Sequence, residues 1–290
     1  MRAAAAAGHQ EAVARLLEAA PRLLVTAIVA GAERGQEQLL RSLLTSDPPD
    51  PPSLSTEDPG SGLTPLTAAA RGGEPDILRL VISSLAAADS AASSASTSAD
   101  SAASLYDEAL LLAAEAGHVA VVELLLDQGA RVEPGDTCAV DTRAGDTCGL
   151  TPLEVAARAG HLGVVQLLAG RGAGLDTATP TELAVVRGHA QVVCWLLGAG
   201  AGEPVSALHL AVTSGQGGVA GAVLDTLQTA EDSQDTSEHW RLDSLDSVLE
   251  SLLDTALGRG DLEMVTLLLD RGAALTPGAW RLAGAREDIR

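Results

Sequence analysis

Two cysteines, Cys138 and Cys148, sit among Asp136, Asp141 and Asp146. Thiolates beside carboxylates are the first place in this chain to look for a metal or a disulfide. Zinc sites, however, usually draw their cysteines from tight pairs two to four residues apart, and these two are ten apart. Each closes an identical Gly-Asp-Thr-Cys run, at 135–138 and 145–148, so a tandem duplication that lengthened a loop accounts for both, with metal or disulfide as the minor alternatives. The third cysteine, Cys194, lies in Val192-Val-Cys-Trp-Leu-Leu197 with no histidine or acid placed to activate it. His9, His118, His161 and His189 each follow a glycine in the same local context, which marks them as recurring turn residues and not as bases or ligands. No nucleophile elbow and no phosphate-binding loop is present. The sequence therefore offers no catalytic residue, no cofactor site and no metal ligand set.

What places those histidines is a repeat. The glycines Gly8, Gly35, Gly73, Gly117, Gly160, Gly188, Gly215 and Gly260 are separated by 27, 38, 44, 43, 28, 27 and 45 residues, a period that points to a repeat architecture. Four and five residues after each stand apolar or small pairs, among them Leu39-Leu40, Val121-Val122, Val164-Val165 and Met264-Val265. Eight and nine residues after, every copy is again apolar or alanine, so the spacing predicts one buried face of a short helix. Before each glycine the chain predicts a second short helix. Thr64-Pro65 and Thr151-Pro152 are start signals, because threonine caps free amides and proline suits the first helical position. Paired small residues (Gly31-Ala32, Ala69-Ala70, Ala113-Ala114, Ala156-Ala157) let neighbouring helices approach, and the glycine ends the helix in a left-handed conformation. Neither helix can bury its apolar side alone, so the units must stack.

At these residues the chain resembles the ankyrin-repeat family, whose threonine-proline-leucine-histidine start, paired alanines, glycine-histidine, paired valines and leucine triplet are matched best at 108–130 and 149–173. The fourth position of the start motif is histidine only at His209; elsewhere it is Thr67, Glu154 or Glu182. The resemblance implies an all-α ankyrin-repeat solenoid: helix-turn-helix units with finger loops or hairpins, about eight repeats and a C-terminal half repeat, in a single domain over 1–290. Residues 1–20 would be an N-terminal cap. Repeats would fall at 26–44, 64–82, 108–130, 149–173, 179–201, 204–224 and 252–273, with a C-terminal cap at 276–290. The segments between them, 45–62, 83–104, 131–148 and 225–247, read as flexible insertions: the first proline-rich and acidic, the second almost wholly serine and alanine, the last acidic and carrying Trp240.

The resemblance also implies a groove, lined by the residues just before each turn glycine. Arg34, Arg71, Arg158, Arg187 and Arg259 hold those places. Arginine forks pair with carboxylates and phosphorylated side chains, so a row of them would track an acidic or phosphorylated segment of another protein; ordinary solvated positions are the competing reading. Trp240, in a polar insertion, is a further interface candidate or folds back on its neighbours. Trp195 and Trp280 read as core or cap packing.

Composition narrows the partner. The net charge is −21, with 39 acidic residues against 18 basic ones, all arginine, which argues against nucleic acid and anionic membranes as ligands. Three cysteines suggest a reducing, cytoplasmic setting, with the nucleus an alternative, and no apolar run approaches the roughly 18 residues of a membrane span. The resulting expectation is a monomeric, non-enzymatic protein-interaction scaffold working through its groove and finger loops. The alternative is a target-recognition module of a larger regulatory protein or enzyme, such as a ubiquitin-ligase adaptor, kinase or channel.

Overall fold

A computed structural model describes residues 1–45, 56–92, 99–133, 149–232 and 245–275. These residues form sixteen α-helices, with a short 3-10 turn at Pro21–Leu23 and no strand among them. The helices come in pairs, each pair bent back at one of the eight predicted glycines. Every one of those glycines is left-handed, with φ between 69° and 84°, a region closed to most side chains.

The chain divides into two compact units, Met1–Val155 with Gln166–Ala173, and Ala156–Val165 with Gly174–Arg290. In the first, the leading helices α1 (Arg2–Ala6), α3 (Leu24–Glu33), α5 (Pro65–Gly72) and α7 (Ala99–Ala116) pack successively against one another. Behind them lie α2 (Gln10–Ala19), α4 (Glu37–Thr45), α6 (Pro75–Ala92) and α8 (Val119–Asp127). Helices α9 (Pro152–Ala159) and α10 (Leu162–Gly170) contribute residues to both units. The second unit repeats the arrangement with leading helices α11 (Thr179–Arg187), α13 (Pro204–Ser214) and α15 (Leu245–Arg259), backed by α12 (Ala190–Gly198), α14 (Gly217–Asp232) and α16 (Leu262–Asp270).

Burial follows the sequence pattern. The paired alanines and Gly31-Ala32 are fully enclosed, and the paired apolar residues of the second helices are buried in every copy but the first. There Val13 is buried and Ala12 exposed. At two of the start motifs that lack histidine, though not at the one with Glu182, a reciprocal bond closes the helix start. Thr67 accepts from the Thr64 amide at 2.9 Å while its own amide donates to the Thr64 hydroxyl at 3.2 Å. Glu154 accepts from the Thr151 amide at 2.7 Å and donates its amide to the Thr151 hydroxyl at 3.2 Å. Both are capping boxes.

Three of the segments read as flexible insertions are more ordered than expected. Residues 83–92 continue α6 and 99–104 begin α7, so both helices reach 18 residues, about twice the length of α4 or α8. The physical reason is that 83–104 contains neither glycine nor proline, and its alanines have the highest helix propensity of any residue. Likewise 225–232 extends α14 and 245–247 opens α15. The acidic end of the first insertion folds into a turn around a buried aspartate, Asp58. The rest of these insertions, the Cys138/Cys148 loop, Trp240, Trp280 and the cap expected at 276–290 lie outside the described residues. Trp195, expected in the core, is half-buried.

Candidate interaction surface

The candidate residues all stand at the turn end of a leading helix. In the first unit Arg34 follows α3 and Arg71 is in the last turn of α5, both exposed. In the second unit Arg158 closes α9 half-buried, while Arg187 ends α11 and Arg259 ends α15, both exposed.

A ladder that the sequence reading overlooked holds these turns in register. The residue after every turn glycine is polar: His9, Gln36, Glu74, His118, His161, His189, Gln216 and Asp261. In six of them the side chain lies over the turn glycine of the repeat before. In the first unit Gln36 covers Gly8, Glu74 covers Gly35 and His118 covers Gly73; in the second His189 covers Gly160, Gln216 covers Gly188 and Asp261 covers Gly215. A methyl group on Gly160 would stand 2.5 Å from the His189 ring, so glycine is needed there for space as well as for backbone. Where the covering residue can donate, it closes a backbone carbonyl. His118 Nε2 donates to the Arg71 carbonyl at 3.1 Å, His189 Nε2 to the Arg158 carbonyl at 3.0 Å, and the Gln216 amide to the Val186 carbonyl at 3.1 Å. His118 and His189 are thus turn residues, as their recurrence implied, and they fix the backbone carbonyls of exposed Arg71 and half-buried Arg158.

Most of the described arginines elsewhere, though not exposed Arg22, are paired with acids. Arg15, Arg41 and Arg79 pair with acids one turn away on their own helices. Arg171 reaches back to Asp127 at 2.9 Å and Glu123 at 3.3 Å, and Arg271 to Asp225 at 2.8 Å, tying one repeat's second helix to the previous one. Arg131 grips buried Asp107 through Nε at 2.8 Å and a terminal nitrogen at 2.7 Å, fastening the start of the duplicated loop to α7. Arg2 lies 3.4 Å from Asp58. By contrast, no ion pair among the described residues involves Arg34, Arg71, Arg187 or Arg259. The chain carries more than two acids per arginine, yet these four, like Arg22, make no ion pair with any of the described ones. Beside Arg187 the same turn line exposes an apolar side chain, Val186, at 48 % of its surface.

Other titratable groups are structural. Asp58 is fully enclosed. Burial opposes its charge, but bonds from the Ser61 hydroxyl at 2.6 Å, the Thr26 hydroxyl at 2.6 Å and the Ser61 amide at 2.8 Å, with the Arg2 charge, outweigh that and hold the carboxyl below its ordinary value. Burial, with Asp225 nearby, pushes the Cys194 thiol up and so away from nucleophilic thiolate. Among the described residues no cluster of histidines, cysteines or acids could hold a metal ion, and no helix is long and apolar enough to cross a membrane.

Comparison with known proteins agrees with this geometry. The family model for ankyrin repeats (three copies) matches residues 28–136 and 87–181, together just over half the chain. Among solved structures, the crystal structure of the human ASB11 ankyrin repeat domain superposes with a TM-score of 0.55 over 85 % of this chain and 98 % of that one, at 17 % sequence identity. No curated protein matches by sequence.

Proposed function

The chain belongs to the ankyrin-repeat family, whose members generally serve as protein-interaction modules, and from that premise we propose that it is a non-enzymatic scaffold binding an acidic or phosphorylated segment of another protein. The observation that carries this reading is that Arg34, Arg71, Arg187 and Arg259 make no ion pair among the described residues of a strongly acidic chain. A guanidinium held outward on a fixed backbone is ready to receive a carboxylate or phosphate bidentately. Buried apolar residues specify the stack and are unavailable to a partner, whereas the side chains of Arg34, Arg71, Arg187 and Arg259 are exposed. The scaffold is proposed to act as a monomer in a reducing, cytoplasmic setting, in keeping with its few cysteines.

The test compares wild type with a variant carrying glutamate at Arg34, Arg71, Arg158, Arg187 and Arg259 in affinity capture with chemical crosslinking. Loss of the captured partner with helicity intact by circular dichroism is the expected result. Unchanged recovery sinks the arginine surface. A second reading, the recognition module of a larger regulatory protein, is favoured by the human structure, which is described as an ankyrin repeat domain. An endogenous product of intact mass well above 29.3 kDa would support it.

A further inference from the structure

Resting on the scaffold reading, the second unit allows the partner's chemistry to be stated more closely. Two residues before the turn glycine, α3, α5 and α7 carry Glu33, Arg71 and Glu115. The second unit departs from this. There α11, α13 and α15 carry Val186, Thr213 and Gly258 at the same position, all exposed and none charged. Helix α11 packs on α13, and α13 on α15, so equal positions on the three helices fall in one row. The ladder fixes the first join: the Gln216 amide that holds the Val186 carbonyl at 3.1 Å follows directly on the turn glycine of α13.

The row is a small aliphatic surface. Val186 supplies an isopropyl group with 48 % of the residue open. The Thr213 hydroxyl donates into its own helix, to the His209 carbonyl at 2.9 Å and the Leu210 carbonyl at 3.1 Å, so the methyl group is the part left for contact. At Gly258 nothing lies within 4 Å of where a side chain would begin, which leaves room beside the threonine.

On its turn side the row is basic. Arg187 follows Val186 and Arg259 follows Gly258. A terminal nitrogen of Arg259 lies 3.7 Å from where a side chain on Gly215 would begin, so this guanidinium reaches back over the end of α13, two residues from Thr213. The Asp261 carboxylate lies against the same glycine, but it caps α16 through the Met264 amide at 3.1 Å. Glu182 and Asp254 stand one turn earlier on α11 and α15. An anion is therefore favoured on the turn side of the row and repelled on the other.

We propose that the second unit binds a segment of another protein in which an aliphatic residue stands next to an acidic one, the aliphatic side chain seated on Val186 and Thr213 while the carboxylate meets Arg259. Arginine suits this double contact, because its stem lies along apolar surface while its head pairs with the acid. A doubly charged phosphate would cost more to desolvate beside an aliphatic row, which selects the carboxylate.

The experiment titrates the full chain, by fluorescence anisotropy at low salt, into labelled peptides with glycine-serine flanks. Their centres differ: Glu-Leu-Glu, Glu-Ser-Glu or Ser-Leu-Ser. The first should bind at least about fivefold tighter than either control, on the scale of part-burying one aliphatic side chain and making one exposed ion pair. Val186→Ser, at an exposed site where circular dichroism should stay unchanged, should bring Glu-Leu-Glu down to the level of Glu-Ser-Glu. Arg259→Gln should weaken both acidic peptides by about threefold. Equal affinity for Glu-Leu-Glu and Glu-Ser-Glu overturns the proposal, as does indifference to Val186→Ser or to Arg259→Gln, or the absence of binding by all three peptides. Any of these failures leaves the scaffold reading standing if the five-arginine variant still loses its captured partner.

Discussion

At the scale of the residue, the chain uses one side-chain type for two opposed purposes. Arg171 and Arg271 are spent on acids of the preceding repeat, whereas Arg187 and Arg259 make no ion pair among the described residues. Arg171→Glu should therefore lower stability by about 0.5–1 kcal/mol, the range for a part-exposed ion-pair network, while Arg187→Glu should leave the denaturation midpoint within about 0.5 kcal/mol of wild type. Urea titration distinguishes the two, and equal losses would contradict the division. Asp58 makes the corresponding prediction for acid. Its folded pKa lies below the ordinary aspartate value, so its stabilisation is fully present above that unfolded value and is lost as pH falls through the folded one. Thermal melts below pH 5 should show wild type losing stability more steeply than Asp58→Asn, which is already destabilised at neutral pH by about 1–3 kcal/mol. Gly160→Ala combines a forbidden backbone region with a collision against His189 and should cost more than about 1–2 kcal/mol. Adding His189→Ala should recover only the collision, which a double-mutant cycle measures.

At the scale of the element, the helix pairs were legible because glycine, paired alanines and paired valines recur at fixed offsets, each with a backbone or packing reason. What escaped was the continuation of α6 over 83–92 and the start of α7 at 99–104. Serine and alanine were read there as linker composition, yet the absence of glycine and proline was the stronger signal. Ser84→Pro should break α6 at that point, abolishing amide protection over 85–92 and lowering helical circular dichroism while α5 keeps its protection; hydrogen exchange would show whether the break stays local. The ladder was missed for another reason. Its members are chemically mixed (histidine, glutamine, glutamate and aspartate), so identity hid a pattern that polarity alone reveals. Asp58 and the Asp107–Arg131 pair join residues 56 and 24 apart in the chain, distances at which no local periodicity operates. The arginines were visible in the sequence, but their lack of partners was not, since that depends on where every acid falls in space.

At the scale of the whole molecule, a net charge of −21 makes electrolyte act in two directions at once. Added salt screens the chain's self-repulsion and should raise its melting temperature, yet it also screens guanidinium from ligand and should weaken an anionic partner. Melting curves and peptide titrations over one sodium chloride series should diverge in sign; parallel trends would mean that the ligand is held by apolar contact instead. The polar ladder has a further consequence, for the order in which this chain is made. At six of the described turns the covering side chain belongs to the repeat that comes after, as His118 closes the turn at Gly73 and Gln216 the turn at Gly188. During synthesis, which delivers the N-terminus first, a turn is finished only when the next turn has left the ribosome. Structure is thus acquired vectorially with a lag of one repeat, and a ribosome paused within a repeat holds the turn before it still open to solvent.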